Sequence, residues 1–225
     1  AAVGSSVGVA AVLVTSIDPS LAPMFSAVAA ALPAWAPVVV GAVRRRLENA
    51  DVAIEAGVRS SGSTIDRLVA ASNDDPGKQQ LSLEAVEAAA RSAYNDKIRA
   101  IGQAWARGVL TDDEGKHAQE RQLIQTMARV ELPHVRVLGV VESSFIGVRN
   151  AATALISGWT PEMIQGQCPD YGPMLGQIIA VLRSEGLIAD ASINSEIGRP
   201  GEEFQVTPAG ALLLSRLREA GDEAV

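Results

Sequence analysis

The sequence predicts a mainly α protein in which a helical N-terminal body precedes a C-terminal unit of short helices and one two-stranded β-hairpin. Three observations predict it. Hydrophobic residues make up 48% of the chain but aromatic residues only 4%, so the core has to be assembled from Ala, Val, Leu and Ile, and the alanine-rich stretches favour helix. Apolar residues recur at three- and four-residue steps through most of the chain, the period of one helix face. Strand-like alternation around a gap rich in turn formers occurs once, near the C-terminus. At 225 residues there is room for two small cores. Two are expected, over 1–158 and 159–225, with Gly158 at the boundary.

Between Ala1 and Val43 only Asp18 carries a side-chain charge, and Arg44, Arg45 and Arg46 follow at once. The uncharged run from Pro19 to Val43 is long enough to span a bilayer with the basic cluster on the cytoplasmic side. Pro19, Pro23, Pro33 and Pro37 divide that run into short pieces, and its Ala and Ser residues make it weakly lipophilic. The expectation for 1–43 is therefore a helical hairpin buried in the core of this chain or in a homo-oligomer interface, with membrane association as the alternative. The basic cluster follows the apolar run, the reverse of the order in a secretory leader.

Val39, Val43, Leu47, Ala50 and Ile54 predict an amphipathic helix from Pro37 to Gly57, with Arg45, Glu48 and Glu55 on its solvated side. Ser63 with Asp66 three residues on predicts a capped start for a short helix through Ile65, Leu68 and Val69, closed by a turn from Asn73 to Gly77. Leu83, Val86, Ala90, Tyr94, Ile98, Ile101, Trp105 and Val109 hold helical steps over about seven turns, so one long helix is expected there. Gly102 and Gly108 within it would let a neighbouring helix approach closely. An acidic loop from Leu110 to Gly115, a helix through Leu123, Ile124, Met127 and Val130, another from Pro133, and a last one through Phe145, Val148, Ala152, Leu155 and Ile156 complete the body. Its apolar faces make self-association the expected role, carried by Val43, Leu47, Ile54, Ile101 and Trp105.

In the last third, Thr160 is placed to cap a helix that Pro161 opens and that ends before Cys168 and Pro169. Leu175, Ile178, Ile179 and Leu182 line one face of a second helix from about Pro173, stopped at Gly186. Leu187 to Ile193 reads as a strand, Asn194 to Gly201 as a turn, and Phe204, Val206 and Thr207 as the returning strand. Thr207 and Pro208 repeat the cap-plus-proline start, and Leu212, Leu213 and Leu217 form the stripe of a last helix ending at Gly221.

The residues Leu182, Gly186, Leu187 and Ile188, then Phe204, Val206, Thr207, Pro208, Gly210 and Leu214, resemble the closing half of bacterial winged helix-turn-helix domains, over about a quarter of the chain. The preceding array of helices more loosely resembles uncharacterised bacterial and prophage proteins, from which no activity carries over. The winged-helix resemblance implies that the helix from about Tyr171 to Glu185 is presented to a partner, with Tyr171, Met174, Gln177, Arg183 and Arg199 as its contacts. In DNA-binding members that helix enters the major groove. Other members dock on proteins.

Charge separates the two roles. After position 160 the chain holds four arginines against ten acidic residues, whereas before it fifteen basic residues face sixteen acidic ones. Phosphate neutralisation supplies most non-specific DNA affinity, so the acidic C-terminal unit is expected to dock on protein. A dimeric DNA-binding repressor is the alternative. The net charge of −7 likewise weighs against a general nucleic-acid or anionic-membrane binder. The lone Cys168 cannot form an internal disulfide, which points to a reducing cytoplasm. Sixteen arginines against three lysines, with abundant alanine, is the bias of a GC-rich genome.

No residue pattern announces catalysis. His117 beside Asp112, Asp113 and Glu114 lacks the second His or Cys of a structural zinc site. His134 follows Pro133 at a helix start, where imidazole caps or packs. Cys168 has no histidine near it in sequence, and the glycines form neither a phosphate loop nor a dinucleotide fingerprint. Trp35, Trp105 and Trp159 are scattered, as core anchors are. The expected protein is non-enzymatic, with no cofactor and no metal, and acts by regulation or interaction with a protein partner or with itself.

Overall fold

A computed structural model of the chain describes residues 36–147, 158–191 and 203–222. The protein is mainly α, with one small antiparallel sheet near the C-terminus. Among the described residues nine α-helices run in the order α1 (Ala36–Ser61), α2 (Ile65–Asn73), α3 (Pro76–Arg91), α4 (Asn95–Leu110), α5 (Glu114–Arg129), α6 (Leu132–Gly147), α7 (Pro161–Gln167), α8 (Leu175–Ser184) and α9 (Pro208–Asp222). The strands β1 (Ile188–Asp190) and β2 (Phe204–Val206) lie between α8 and α9.

Local chemistry starts most of these helices. Asp75 Oδ1 accepts from the N–H groups of Gly77 and Lys78 at 2.7 and 3.1 Å, with Pro76 in the first turn of α3. Asp113 does the same for Gly115 and Lys116 at 2.9 and 3.1 Å. The acidic loop is therefore shorter than the sequence implies, because Asp113 is a cap that satisfies orphan donors of α5 and Glu114 already belongs to that helix. At α2 the cap is Thr64, whose Oγ1 accepts from Arg67 N at 3.3 Å. The expected start at Ser63 is off by one residue.

The long helix expected from Leu83 to Val109 is two helices. The chain is extended at Ser92 and Tyr94, Ser92 N–H closes α3 onto Ala89 O at 3.1 Å, and Asn49 of α1 donates to Ser92 O at 2.7 Å. The break lets α4 fold back between its neighbours, and it packs against α1, α3, α5 and α9. Small residues make this central place possible. A Cβ on Gly102 would lie 1.8 Å from Ala53 O, one on Gly57 2.7 Å from Gly102 O, and one on Gly108 2.5 Å from Leu81 Cδ2. The α1 and α4 backbones thus touch. Gly57, expected to end α1, instead sits inside it as a crossing point, and the helix runs on to Ser61. The buried face of α3 is Leu81, Ala85, Ala88 and Ala89, while Leu83 and Val86 of the expected stripe point outward.

In the C-terminal third α7 begins as the sequence predicts, with Thr160 Oγ1 accepting from Met163 N at 3.4 Å. A 3-10 segment, Pro169–Met174, precedes α8 where the expected helix already began, because Pro169 and Pro173 withhold two N–H groups. Gly186 stops α8 with a φ of +67°, a backbone state that costs glycine nothing. β1 and β2 pair antiparallel with Ile188 opposite Val206 and Asp190 opposite Phe204. β1 is shorter than the expected strand, and residues 192–202, which include the expected turn and Arg199, lie outside the described ones. The same holds for the helix expected from Phe145 to Ile156 beyond Gly147, and for the chain before Ala36.

One pairing leaves no signal in the sequence. Trp159 and Phe204 exchange two backbone hydrogen bonds of 2.9 Å, adding an isolated bridge on the other side of β2. The buried residues form one continuous cluster from Ala53 to Ala220. Within it α6 packs on α7, α8, β2 and α9, and α9 in turn packs on α4.

Candidate docking face

The outer face of α8 follows from its inner one. Leu175, Ile178, Ile179 and Leu182 are buried against the core, so the helix period turns Gly176, Gln177, Ala180, Arg183 and Ser184 outward, and all five are exposed. Met174, just before the helix, keeps 53% of its surface in solvent. This face bears one charge. That charge is already spent: Arg183 Nη2 donates to Asp190 Oδ2 of β1 at 2.9 Å, and the guanidinium lies 6.0 Å from the centre of the Phe204 ring.

Tyr171 is placed differently from the other expected contacts. It is half-buried and packed against the core, and its hydroxyl accepts from Arg136 Nη1 of α6 at 3.2 Å. It borders the face without standing on it. Met174, Gln177 and Arg183 do share the face, and Arg199 falls outside the described residues. The neighbouring turn carries a second ion pair, Glu185 with Arg129 of α5 at 3.0 Å.

Beside that turn lies an apolar groove of about 350 Å³, walled by Leu123 of α5, Leu187, and Pro208, Ala209 and Leu212 of α9. Neither the groove nor the pairing of Arg183 is signalled by the sequence. Arg183 and Asp190 stand seven residues apart across the turn from α8 into β1, a spacing that carries meaning only once β1 has folded back beside α8.

The residues expected for self-association divide. Ile101 is fully buried and Trp105 nearly so, with Trp105 Nε1 donating to Ser82 Oγ at 2.9 Å. Both belong to the core of a single chain and are closed to a second one, because α4 is covered on all sides. Ile54 is half-buried and packs on that core. Leu47 is half-buried, and Val43 is exposed.

The two histidine side chains hold the backbone, and Cys168 closes a helix through its own backbone. His117 Nδ1 lies 3.1 Å from Gly108 O, His134 Nδ1 accepts from Glu131 N at 3.0 Å at the start of α6, and Cys168 ends α7 by donating its N–H to Ile164 O at 2.9 Å. Among the described residues no three His, Cys, Asp or Glu side chains gather as metal ligands. No protein-family model, no characterised protein and no solved structure matches this chain.

Proposed function

We propose that the C-terminal elements form a winged-helix-like unit that docks on protein through α8, and that the protein is a non-enzymatic interaction module of the cytoplasm. The order α7, α8, β1, β2, α9 supports the winged-helix reading, since two helices, a two-stranded hairpin and a last helix is the order that the resemblance implies. The outer face of α8, with Arg183 as its one charge, carries the docking reading. Met174, Gly176, Gln177 and Ala180 offer area and close approach but no counter-charge for phosphate, and Arg183 is neutralised by Asp190. A DNA reader needs several free cations at this place. Self-association through α1 stays part of the reading, now resting on Val43 and Leu47.

The test is selection of bound fragments from randomised duplex DNA by the full chain at about 50 and 200 mM salt, between which phosphate-driven binding weakens steeply. The expected result is no shared sequence at the higher salt. A recovered palindrome there would make the protein a dimeric DNA-binding regulator and overturn the docking reading. Met174→Ala combined with Gln177→Ala addresses the face itself. If every interaction of the chain survives that double substitution, α8 is not the docking element.

A further inference from the structure

Where it leaves the body, α1 keeps an apolar seam open. Val40, Val43, Leu47, Ala50 and Ile54 recur at alternating steps of three and four residues, the a and d positions of a heptad. Val40 and Val43 keep 65% and 45% of their surface, Leu47 and Ala50 are half-buried, and Ile54 at the foot of the seam packs on the core. Nothing lies within 4 Å of where a Cβ on Gly41 would be. Asn49, midway along, donates to Ser92 O at 2.7 Å and ties the helix to the body.

The flank of this seam changes sign along its length. Arg44, Glu48, Asp51 and Glu55 follow one another at steps of four, three and four, so they share one side of the helix beside the apolar residues. Arg45 and Arg46 reinforce the positive end. Arg44 reaches Glu48 at 2.8 Å and Glu55 pairs with Arg59 at 2.5 Å. Arg45, Arg46 and Asp51 are exposed and form no ion pair among the described residues.

We propose that a second copy of the chain covers the seam, its α1 running antiparallel to the first about a two-fold axis between Glu48 and Asn49. This pairing rests on the self-association reading above and fixes its surface, direction and register. Leu47 then lies over the partner's Ala50, a large residue on a small one, and Val43 lies against the partner's Ile54. On the flank Arg44 comes beside the partner's Asp51, and the symmetry makes that pair twice. A helix that is basic at one end and acidic at the other carries its own complement when reversed, which is what an isologous interface requires.

Other occupants match less of the helix. A parallel copy would stack Leu47 on the partner's Leu47 and Ala50 on the partner's Ala50, crowded in one layer and hollow in the next, with the two arginine collars side by side. An anionic lipid surface that attracts Arg44, Arg45 and Arg46 would repel Glu48, Asp51 and Glu55 on the following turns. The contact from Val43 to Ile54 is about 16 Å long, short for a protein interface, so the dimer is expected to dissociate in the micromolar range.

The experiment is sedimentation of the full chain from about 1 to about 300 μM, joined to disulfide trapping in chains that carry Cys168→Ser. The expected result is a monomer that dimerises across this range. On oxidation, a mixture of Val43→Cys chains and Ile54→Cys chains is expected to yield crosslinked heterodimers. Val43→Cys chains alone yield none, because their two cysteines stand about 16 Å apart along the helices, beyond disulfide reach. Asp51→Arg is expected to weaken the dimer about tenfold by setting arginine beside the partner's Arg44, and Arg44→Asp with Asp51→Arg to return it to within about threefold of the parent. Both positions are exposed, so thermal melting of the dilute monomer is unchanged in these two variants. A chain that stays monomeric throughout overturns this pairing and the self-association reading together. A dimer in which Val43→Cys chains trap one another overturns the antiparallel direction and leaves self-association standing. A dimer that neither cysteine experiment traps and that ignores Asp51→Arg is built on another surface, which overturns the seam.

Discussion

Glu120 shows how much one side chain can hold. Its Oε1 lies 3.3 Å from Arg107 Nε and 3.3 Å from Arg216 Nη2, so a single carboxylate ties α4, α5 and α9 together. Burial lowers the Arg107 pKa, and the charge of Glu120 opposes that shift. Removing the carboxylate leaves two guanidiniums facing each other. Glu120→Ala is expected to cost about 3 kcal/mol in urea denaturation, the lower end for a broken buried pair, because both arginines keep some contact with water. A loss under about 1 kcal/mol would mean that both guanidiniums rehydrate freely.

Glu84 acts through pH. The hydrogen bonds from Arg121, then those from Gln80 and Gln125, hold its carboxyl down at about 2. A folded-state value below the unfolded one contributes stability that is complete above the unfolded pKa near 4.5 and is lost as pH falls toward 2. Melting temperatures from pH 5 to pH 2 are therefore expected to fall more steeply for the parent than for Glu84→Gln. Parallel curves would remove Glu84 from the acid response.

For the elements, the crossing of α1 and α4 is the most demanding contact. With Ala53 O only 1.8 Å from a Cβ on Gly102, and backbone on both sides, no rotamer change can make room. Gly102→Ala is expected to destabilise the protein by about 3 kcal/mol, the upper range for overpacking. Gly41 in the same α1 helix meets nothing within 4 Å, so Gly41→Ala is expected to be neutral or to stabilise by up to about 1 kcal/mol through helix propensity. Equal effects at the two positions, measured in the same urea series, would show that the helices do not cross this closely. α6 is the other decisive element. Arg218 of α9 pairs with Glu142 of α6, and Lys97 of α4, only 2% exposed, donates to Val130 O at 2.8 Å and to Glu131 at 3.0 Å just before α6 begins.

At the scale of the molecule, these links join the body to the C-terminal elements in one hydrophobic cluster. Cooperative unfolding is the consequence to test. Trp105 reports the body and Trp159 the segment that pairs with β2. Variants retaining only one of them, the other tryptophans replaced by Phe, are expected to unfold at the same urea concentration. Midpoints separated by more than about 0.5 M, a large fraction of typical unfolding ranges, would show two independent folding units instead.

By itself the sequence determined what is local. Thr160 with Pro161, Thr207 with Pro208 and the glycine at 186 mark their helix ends because a cap acts within three residues. The spacing of Leu175, Ile178, Ile179 and Leu182 was enough to turn Gln177 outward, and composition alone exposed the acidic excess of the last third. What only the tertiary structure decided is which neighbour stands opposite. Helical period continued through Ser92 to Tyr94 although the chain turns there. Ile101 and Trp105 looked like a face for a second chain although α1, α3, α5 and α9 already cover them. The pairings of Arg183 with Asp190, Arg136 with Tyr171 and Trp159 with Phe204 leave no mark on local spacing. Burial and ion pairing depend on residues far apart in the chain, and their energies exist only once packing has brought those residues together.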